Sequence, residues 1–351
     1  MSSSSRPRVL LLGEAPIYQL DLWKAFQQKF DVVSADLSSR DGFIEALNNE
    51  TYGSFSAIIK PAVESGNGAN PWNSELISHL PSSVKVFASA GAGFDYLSVP
   101  ALNDCGIAFA NSRGAGDTAT SDLALFLILS VFRLTSWSEW AARTGDPNIF
   151  DDVHNEIGKK AVNPRGRTLG AVGFGAIQSE IVRKAVDGLG MKCVFYDPYF
   201  KDEEKAKQLK AERVDSLEEL AKRADCVSVS VPYSDSTHHL ISDSFFAALE
   251  PGSRIVNTAR GPVISQDALV AALKSGKLLS AGIDVHEFEP QVSKELIEMK
   301  NVTLTTHIGG VAVDTYYEFE RLVMTNVENF LTGGQLLTPI GKEFEPVKDT
   351  L

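Results

Sequence analysis

Three strand-like runs in the second half of the chain each end on a side chain able to do chemistry. SRIVNTA (253–259) leads to Arg260, LSAGID (279–284) ends on Asp284 with Glu289 shortly beyond, and VTLTTH (302–307) ends on His307. A histidine can move a proton near neutral pH. A carboxylate paired with it, here Glu289, would orient the ring and stabilise the imidazolium. A planar guanidinium such as Arg260 can grip a carboxylate through two parallel bonds and polarise an oxygen beside it. Each residue alone is more often a solvated surface group or a satisfied core histidine. Delivered together to one sheet edge, they form a candidate catalytic set.

The elements that must position this set alternate along the chain. RVLLLG (8–13), AIIK (57–60) and KVFASA (85–90) look like buried strands, with helical stretches such as LDLWKAFQQKF (20–30) between them. From 168 the alternation is cleaner: TLGAVGFG, KCVFYD, CVSVSV, SRIVNTA, LSAGID and VTLTTH, separated by amphipathic segments. Such alternation calls for parallel sheets with helices on both faces, and six strands in this block match a complete dinucleotide-binding sheet. A turn-rich polar stretch at 143–167 separates the blocks, and the apolar helix before it, 118–133, is expected to be buried. In doubly wound sheets ligands sit beyond the carboxyl ends of the strands, where the polar residues fall.

TLGAVGFGAIQSEIVRKA (168–185) is a strand turning through glycines into a helix. Gly173 would allow the tight turn, and Gly175 would let backbone approach a pyrophosphate at the helix N-terminus. The third position of the fingerprint is Gln178, which leaves the helix–strand packing distance open. Asp197 ends the next strand, 24 residues after Gly173. There it would either bind an adenosine ribose hydroxyl and disfavour a 2′-phosphate, favouring NAD over NADP, or stand as a solvated strand-end carboxylate. With a nicotinamide to carry hydride, the catalytic set fits oxidation of a 2-hydroxy acid, in which the hydroxyl proton leaves as hydride leaves the same carbon.

Composition narrows the alternatives. The chain of 351 residues is 44% hydrophobic and 22% charged, long enough for two domains. Its 33 basic against 45 acidic residues give a net charge of −12, which argues against a nucleic-acid partner. Cys105, Cys193 and Cys226 are scattered, with no CxxC or Cys/His cluster, so neither a disulfide framework nor a metal site is expected. The start, MSSSSRPRVLLLG, has too short an apolar run for a signal core, and LALFLILSVF (123–132) is too short to cross a bilayer needing about 20 residues. A cytoplasmic protein with no membrane partner is expected.

The segments ASAGAGFDYL, NSRGAGDTATSDLALFLILSVFRL, VSVSVPYSDSTHHLI, PGSRIVNTARGPVISQDALVAALKSGKLLSAGIDVHEFEP and TTHIGG resemble the D-isomer-specific 2-hydroxyacid dehydrogenase family over nearly the whole chain. Within it, these blocks and the PWN turn at 71–73 are most similar to the D-mandelate branch. The resemblance implies an α/β fold of two doubly wound domains, a Rossmann NAD-binding domain at 116–314 and a flavodoxin-like catalytic domain built from 1–115 and 315–351. Helices at about 118–133 and 313–331 would act as hinges for closure.

By the same resemblance Arg260 binds substrate, His307 is the general acid/base and Glu289 its partner. Thr120, Thr258, Ala259 and Asp284 line the nicotinamide side, and Gly309 and Gly310 follow the histidine. Ala176, Ile177 and Asp197 hold pyrophosphate and ribose, with Val231, Pro232 and Thr237 beside adenosine. The loop Gly91-Ala92-Gly93 offers amides to the substrate carboxylate, and Lys60 is a candidate second contact. The cofactor is NAD, the partner a small 2-hydroxy or 2-keto acid, most of all D-mandelate and benzoylformate, and the assembly a homodimer.

Two other readings stay open. One is a glyoxylate/hydroxypyruvate reductase differing only in the pocket. The other is an NADH-sensing corepressor on the same fold, which the short stretch after the last helix is expected to disfavour. Phosphoglycerate and formate dehydrogenases are disfavoured, the first for want of regulatory extensions, the second because it carries Gln where Glu289 stands. His238 and His239 are expected at the surface or the adenosine edge, His286 to turn away from substrate, and Trp72, Phe94 and Tyr96 either to pack or to line an aromatic pocket.

Overall fold

The computed structural model describes residues 6–61 and 70–341. The serine run at 2–5, and the end of the catalytic-domain range beyond 341, lie outside the described residues. By its internal contacts the chain divides into two compact units, Met1–Gly116 with Ala312–Leu351, and Asp117–Val311.

The first unit carries β1 (Arg8–Leu11), β2 (Asp31–Ser34), β3 (Ala57–Lys60), β4 (Val86–Ser89) and β5 (Ala108–Ala110). The second carries β6 (Thr168–Val172), β7 (Lys192–Tyr196), β8 (Ala211–Arg213), β9 (Cys226–Val229), β10 (Ser253–Asn257), β11 (Leu278–Ile283) and β12 (Val302–Leu304). A last strand, β13 (Pro339–Ile340), returns to the first sheet antiparallel to β5. The sheet orders are β13-β5-β4-β3-β1-β2 and β12-β11-β10-β9-β6-β7-β8, and all pairings other than β13–β5 are parallel.

Both orders reverse direction once, β1 to β3 in the first sheet and β6 to β9 in the second. These are flavodoxin-like and Rossmann topologies respectively, and the reversal leaves a crevice at the carboxyl ends of the flanking strands. The strands are apolar on both faces because helices cover both. In β1, Val9 and Leu11 join one core cluster while Leu10 joins the other. In β10, Ile255 and Val256 divide between the two cores of the second unit in the same way. At about 25 cal/mol per Å² of apolar surface removed from water, this two-sided burial supplies the main drive for both layers.

The first unit is closed by its C-terminal helix, Val313–Leu331. Glu320, buried within it, accepts hydrogen bonds from the amides of Ile17 (2.9 Å), Tyr18 (3.0 Å) and Gln19 (2.6 Å). Those amides lead into the helix Leu20–Lys29, whose N-cap is Gln19. One carboxylate thus ties the two ends of a discontinuous unit together.

Three features differ from the expectations. The second sheet has seven strands, because the short edge strand β8 pairs with β7. The stretch 143–167 is not all turn: Asp146 accepts from the amides of Asn148 and Ile149 and starts a helix, Pro147–Lys160, with proline at its first position. The helix Asp117–Arg133 is only partly buried, and Phe126 remains half-exposed. Among the described residues no single helix is long and apolar enough to cross a membrane.

Candidate active site

The glycine-rich turn lies at the reversal point of the second sheet. Gly173 has φ +83°, and a Cβ there would meet the Ser230 carbonyl oxygen at 2.5 Å and Val231 at 2.8 Å. Only glycine allows the ends of β6 and β9 to approach this closely. Gly175 precedes the helix Ala176–Arg183, supplies no side-chain cap, and faces open space where a Cβ would point. The first helical amides, from Ala176 and Ile177, therefore end on a bare cradle suited to a phosphate. Asp197, beyond the end of β7, accepts from the Phe174 amide at 2.9 Å and the Tyr199 amide at 2.8 Å, so it braces the same turn. Gln178 is fully buried and accepts from the Ser228 hydroxyl at 3.2 Å. The helix thus packs with a glutamine where the fingerprint has glycine. This cradle, with a carboxylate at the next strand end, fits the dinucleotide expected there.

Val231, Pro232 and Thr237 lie in the loop after β9, where the Thr237 hydroxyl donates to the Pro232 carbonyl at 2.7 Å. Beyond β10, Asn257 organises the next turn. Its Oδ1 accepts from the Ala259 amide and its Nδ2 donates to the Arg260 carbonyl, both at 3.0 Å. Ala259 is buried, and the Thr258 hydroxyl is buried with no partner among the described residues. The half-buried Arg260 donates from Nη1 to the Ala259 carbonyl at 2.7 Å.

Asp284 is 1% exposed and holds the turn that presents His307. Its Oδ1 accepts from the Thr305 hydroxyl (2.6 Å) and the Ile308 amide (2.8 Å), and its Oδ2 from the Gly309 amide (2.9 Å). A Cβ on Gly309 would meet Asp284 Oδ2 at 3.1 Å and Thr120 at 3.3 Å, so Thr120, Asp284 and Gly309 stand together, with Gly310 following. His307 sits at φ +57°, a conformation that costs a non-glycine residue about 1–3 kcal/mol and tends to be kept at functional sites.

His307 Nδ1 lies 2.8 Å from Glu289 Oε2. The carboxylate accepts, so Nδ1 carries the proton and Nε2 is left for chemistry. Glu289 Oε1 accepts from the His286 amide at 2.8 Å. Burial pushes the Glu289 carboxyl up, but the hydrogen bonds from His307 and the His286 amide, with the nearby imidazoles, leave it below its ordinary range. The pair therefore adds stability above that range and loses it as pH falls through the depressed one.

The arginine and glutamate loops touch through backbone. A Cβ on Gly261 would lie 2.0 Å from the His286 carbonyl and 2.4 Å from the Glu287 amide. Glu287 adds a second bond between segments, accepting from His239 Nε2 at 2.7 Å and from the Gln266 amide at 2.8 Å. Sequence reasoning missed Asn257, Gly261 and Glu287. The glycine after Arg260 was the available signal, while the Glu287–His239 contact spans 48 positions and leaves no local trace. His286 is buried, its Nε2 2.9 Å from the Thr305 carbonyl.

In the first unit Lys60 ends β3 and the loop Gly91-Ala92-Gly93 follows β4, with the Ala90 amide bonded to the Lys60 carbonyl at 2.8 Å. Lys60 Nζ lies 4.9 Å from the centre of the Tyr96 ring. Gly91 has φ +84°, and Asn111 donates to the Ala92 carbonyl at 2.7 Å, which sets the loop's shape. Trp72 is 1% exposed and packs edge-on against Phe87 at 5.0 Å, so it belongs to the core of the first unit. Among the described residues no group of three or more His, Cys, Asp or Glu could hold a metal.

Comparisons with known proteins agree with this fold. Residues 125–309 match the family model for the D-isomer specific 2-hydroxyacid dehydrogenase, NAD binding domain. Crystal structures of apo and holo Rhodotorula graminis D-mandelate dehydrogenase are 71% identical, with TM-scores of 0.93 and 0.95, over 97% and 98% of this chain and 100% of theirs. The 4-methyl-2-oxopentanoate reductase A of Aspergillus oryzae is 31% identical over 96% of this chain and 98% of its own. Glyoxylate reductase 1 of Saccharomyces cerevisiae is 32% identical over 95% of each.

Proposed function

The chain belongs to the D-isomer specific 2-hydroxyacid dehydrogenase family, and from that premise we propose that it interconverts D-mandelate and benzoylformate. It is an NAD-dependent oxidoreductase acting on small 2-hydroxy and 2-keto acids. The observation that carries the mandelate reading is the 71% identity, along the whole chain, to the Rhodotorula graminis enzyme of that name.

The residues divide the work as follows. Ala176 and Ile177 hold the pyrophosphate and Asp197 the ribose, with Gly173 and Gly175 making room. Val231, Pro232 and Thr237 flank the adenosine, and Thr120, Thr258, Ala259, Asp284, Gly309 and Gly310 surround the nicotinamide. When bound, the nicotinamide exchanges a hydride with carbon 2 of the substrate. Arg260 grips the substrate carboxylate and polarises the 2-oxygen. His307 Nε2 gives that oxygen its proton in reduction and takes it back in oxidation. Glu289 keeps the ring in the Nδ1–H form and stabilises the imidazolium. Lys60 and the loop Gly91-Ala92-Gly93 are carried forward as further candidate contacts to the substrate.

A reductase for glyoxylate or hydroxypyruvate is the second reading, favoured by the yeast relative named glyoxylate reductase. NADH oxidation with benzoylformate, pyruvate, glyoxylate and hydroxypyruvate separates the two. The mandelate reading expects the highest kcat/KM with benzoylformate, and a preference for glyoxylate or hydroxypyruvate sinks it.

We also place the protein in the cytoplasm, as a homodimer. All three thiols are free, which suits a reducing compartment. Phe126, Trp140 and Phe150 are exposed on the helices of the second unit, and Phe150 borders a cavity of about 580 Å³. Exposed apolar side chains of this size are the kind of surface a second copy covers. Light scattering at the mass of one chain would end that proposal.

A further inference from the structure

Arg254 is the second residue of β10 and stands at the end of the strand opposite Arg260. It is 6% exposed, which for a guanidinium demands strong partners. Its Nη1 donates to the Gly252 carbonyl at 3.1 Å, and its guanidinium carbon lies 4.5 Å from the centre of the Phe132 ring. Its Nε is buried without a partner among the described residues. Among the described residues it has no carboxylate within ion-pair distance. The neighbouring Asp225 is engaged elsewhere, accepting from the Thr168 amide at 2.8 Å and from Arg167 at 3.3 Å. Burial lowers the proton affinity of Arg254, and the neighbouring Cys226 and Asp225 offset this only in part.

Beside Arg254 opens a cavity of about 250 Å³. Its charged lining is Arg167, Lys222, Arg223 and Arg254 against Asp225 and Glu250, an excess of two cations in a chain whose net charge is −12. Lys222 pairs with Glu218 at 2.6 Å, Arg223 with Glu212 at 2.6 Å and Arg167 with Asp225 at 3.3 Å. Arg254 is the lining cation whose charge the described carboxylates leave unpaired.

We propose that this cavity binds a small tetrahedral oxyanion, inorganic phosphate or sulfate, with Arg254 as its principal ligand. A carbonyl and a ring face orient a guanidinium but carry no charge to neutralise it, and an oxyanion matches its fork of donors. The cavity has room for the ion and water, since a water occupies about 30 Å³ of liquid. It lies at the opposite end of β10 from Arg260 and apart from the glycine cradle.

The test is a thermal melt of the NADH-saturated enzyme, which keeps the pyrophosphate cradle filled, in sodium phosphate or sodium sulfate against sodium chloride of equal ionic strength. The expected result is a midpoint raised by about 2 °C or more in both oxyanions, and no rise in Arg254→Met, which retains packing on Phe132. Should that variant fail to fold, Arg223→Ala, at the open rim, is expected to weaken phosphate binding about threefold by calorimetry. Equal midpoints in phosphate and chloride, a full shift in Arg254→Met, or unchanged affinity in Arg223→Ala overturns the proposal.

Discussion

Two histidine–glutamate pairs hang from the loop 284–290, and their differences separate the proposed proton-transfer site from a bracket. His307–Glu289 spans 2.8 Å and His239–Glu287 2.7 Å, and both histidines have positive φ, +57° and +49°. The glutamates differ. The side chain of Glu287 is 12% exposed, and its second oxygen caps the helix Gln266–Lys274, so it joins three separate segments. That of Glu289 is 35% exposed, and among the described residues its second oxygen bonds within its own loop, to the His286 amide. The first arrangement stiffens the frame, and the second leaves an imidazole, 43% exposed, with one nitrogen open to a reactant. Chemical identity alone would not have separated the pairs. What the other carboxylate oxygen holds does so.

The contrast can be broken most sharply at the histidine. His307→Gln is expected to lower kcat by about 10²–10⁴-fold, the usual worth of a general acid/base, with NADH binding by fluorescence unchanged. Near-normal turnover would remove the distinction between the pairs. Arg260→Ala is expected to lower kcat/KM about 10²–10³-fold, through loss of a desolvated charge pair with the substrate, again with NADH binding intact. Glu287→Ala should move stability more than chemistry: about 1–2 kcal/mol in denaturant unfolding, from the lost helix cap and the lost hydrogen bond to His239, with kcat falling less than tenfold. A collapse of kcat with unchanged stability would make Glu287 part of the chemistry instead.

Much of this was legible from local pattern. Runs such as TLGAVGFG and SRIVNTA are apolar on both faces and end in polar residues, so strand identity and the site edge followed together. Asp31–Ser34 and Ala211–Arg213 escaped notice because they are edge strands carrying polar residues, and Ala108–Ala110 because alanine is a weak strand former. The helix Pro147–Lys160 hid behind turn-forming Asp146 and Pro147, which are equally a helix start. At the site, Arg260, Glu289 and His307 could be read from residue type and strand ends. The backbone contact at Gly261 and the Glu287–His239 bond could not, because they join segments distant in sequence.

The proposed action of Glu289 through His307 is tested by the pH profile of benzoylformate reduction by Glu289→Gln. Reduction needs the imidazolium, so activity falls as pH rises. Glutamine keeps the hydrogen bond but removes the charge that stabilises that cation. The account predicts a lower kcat with little change in KM and an alkaline limb displaced to lower pH. A profile superimposable on that of the wild type would contradict it.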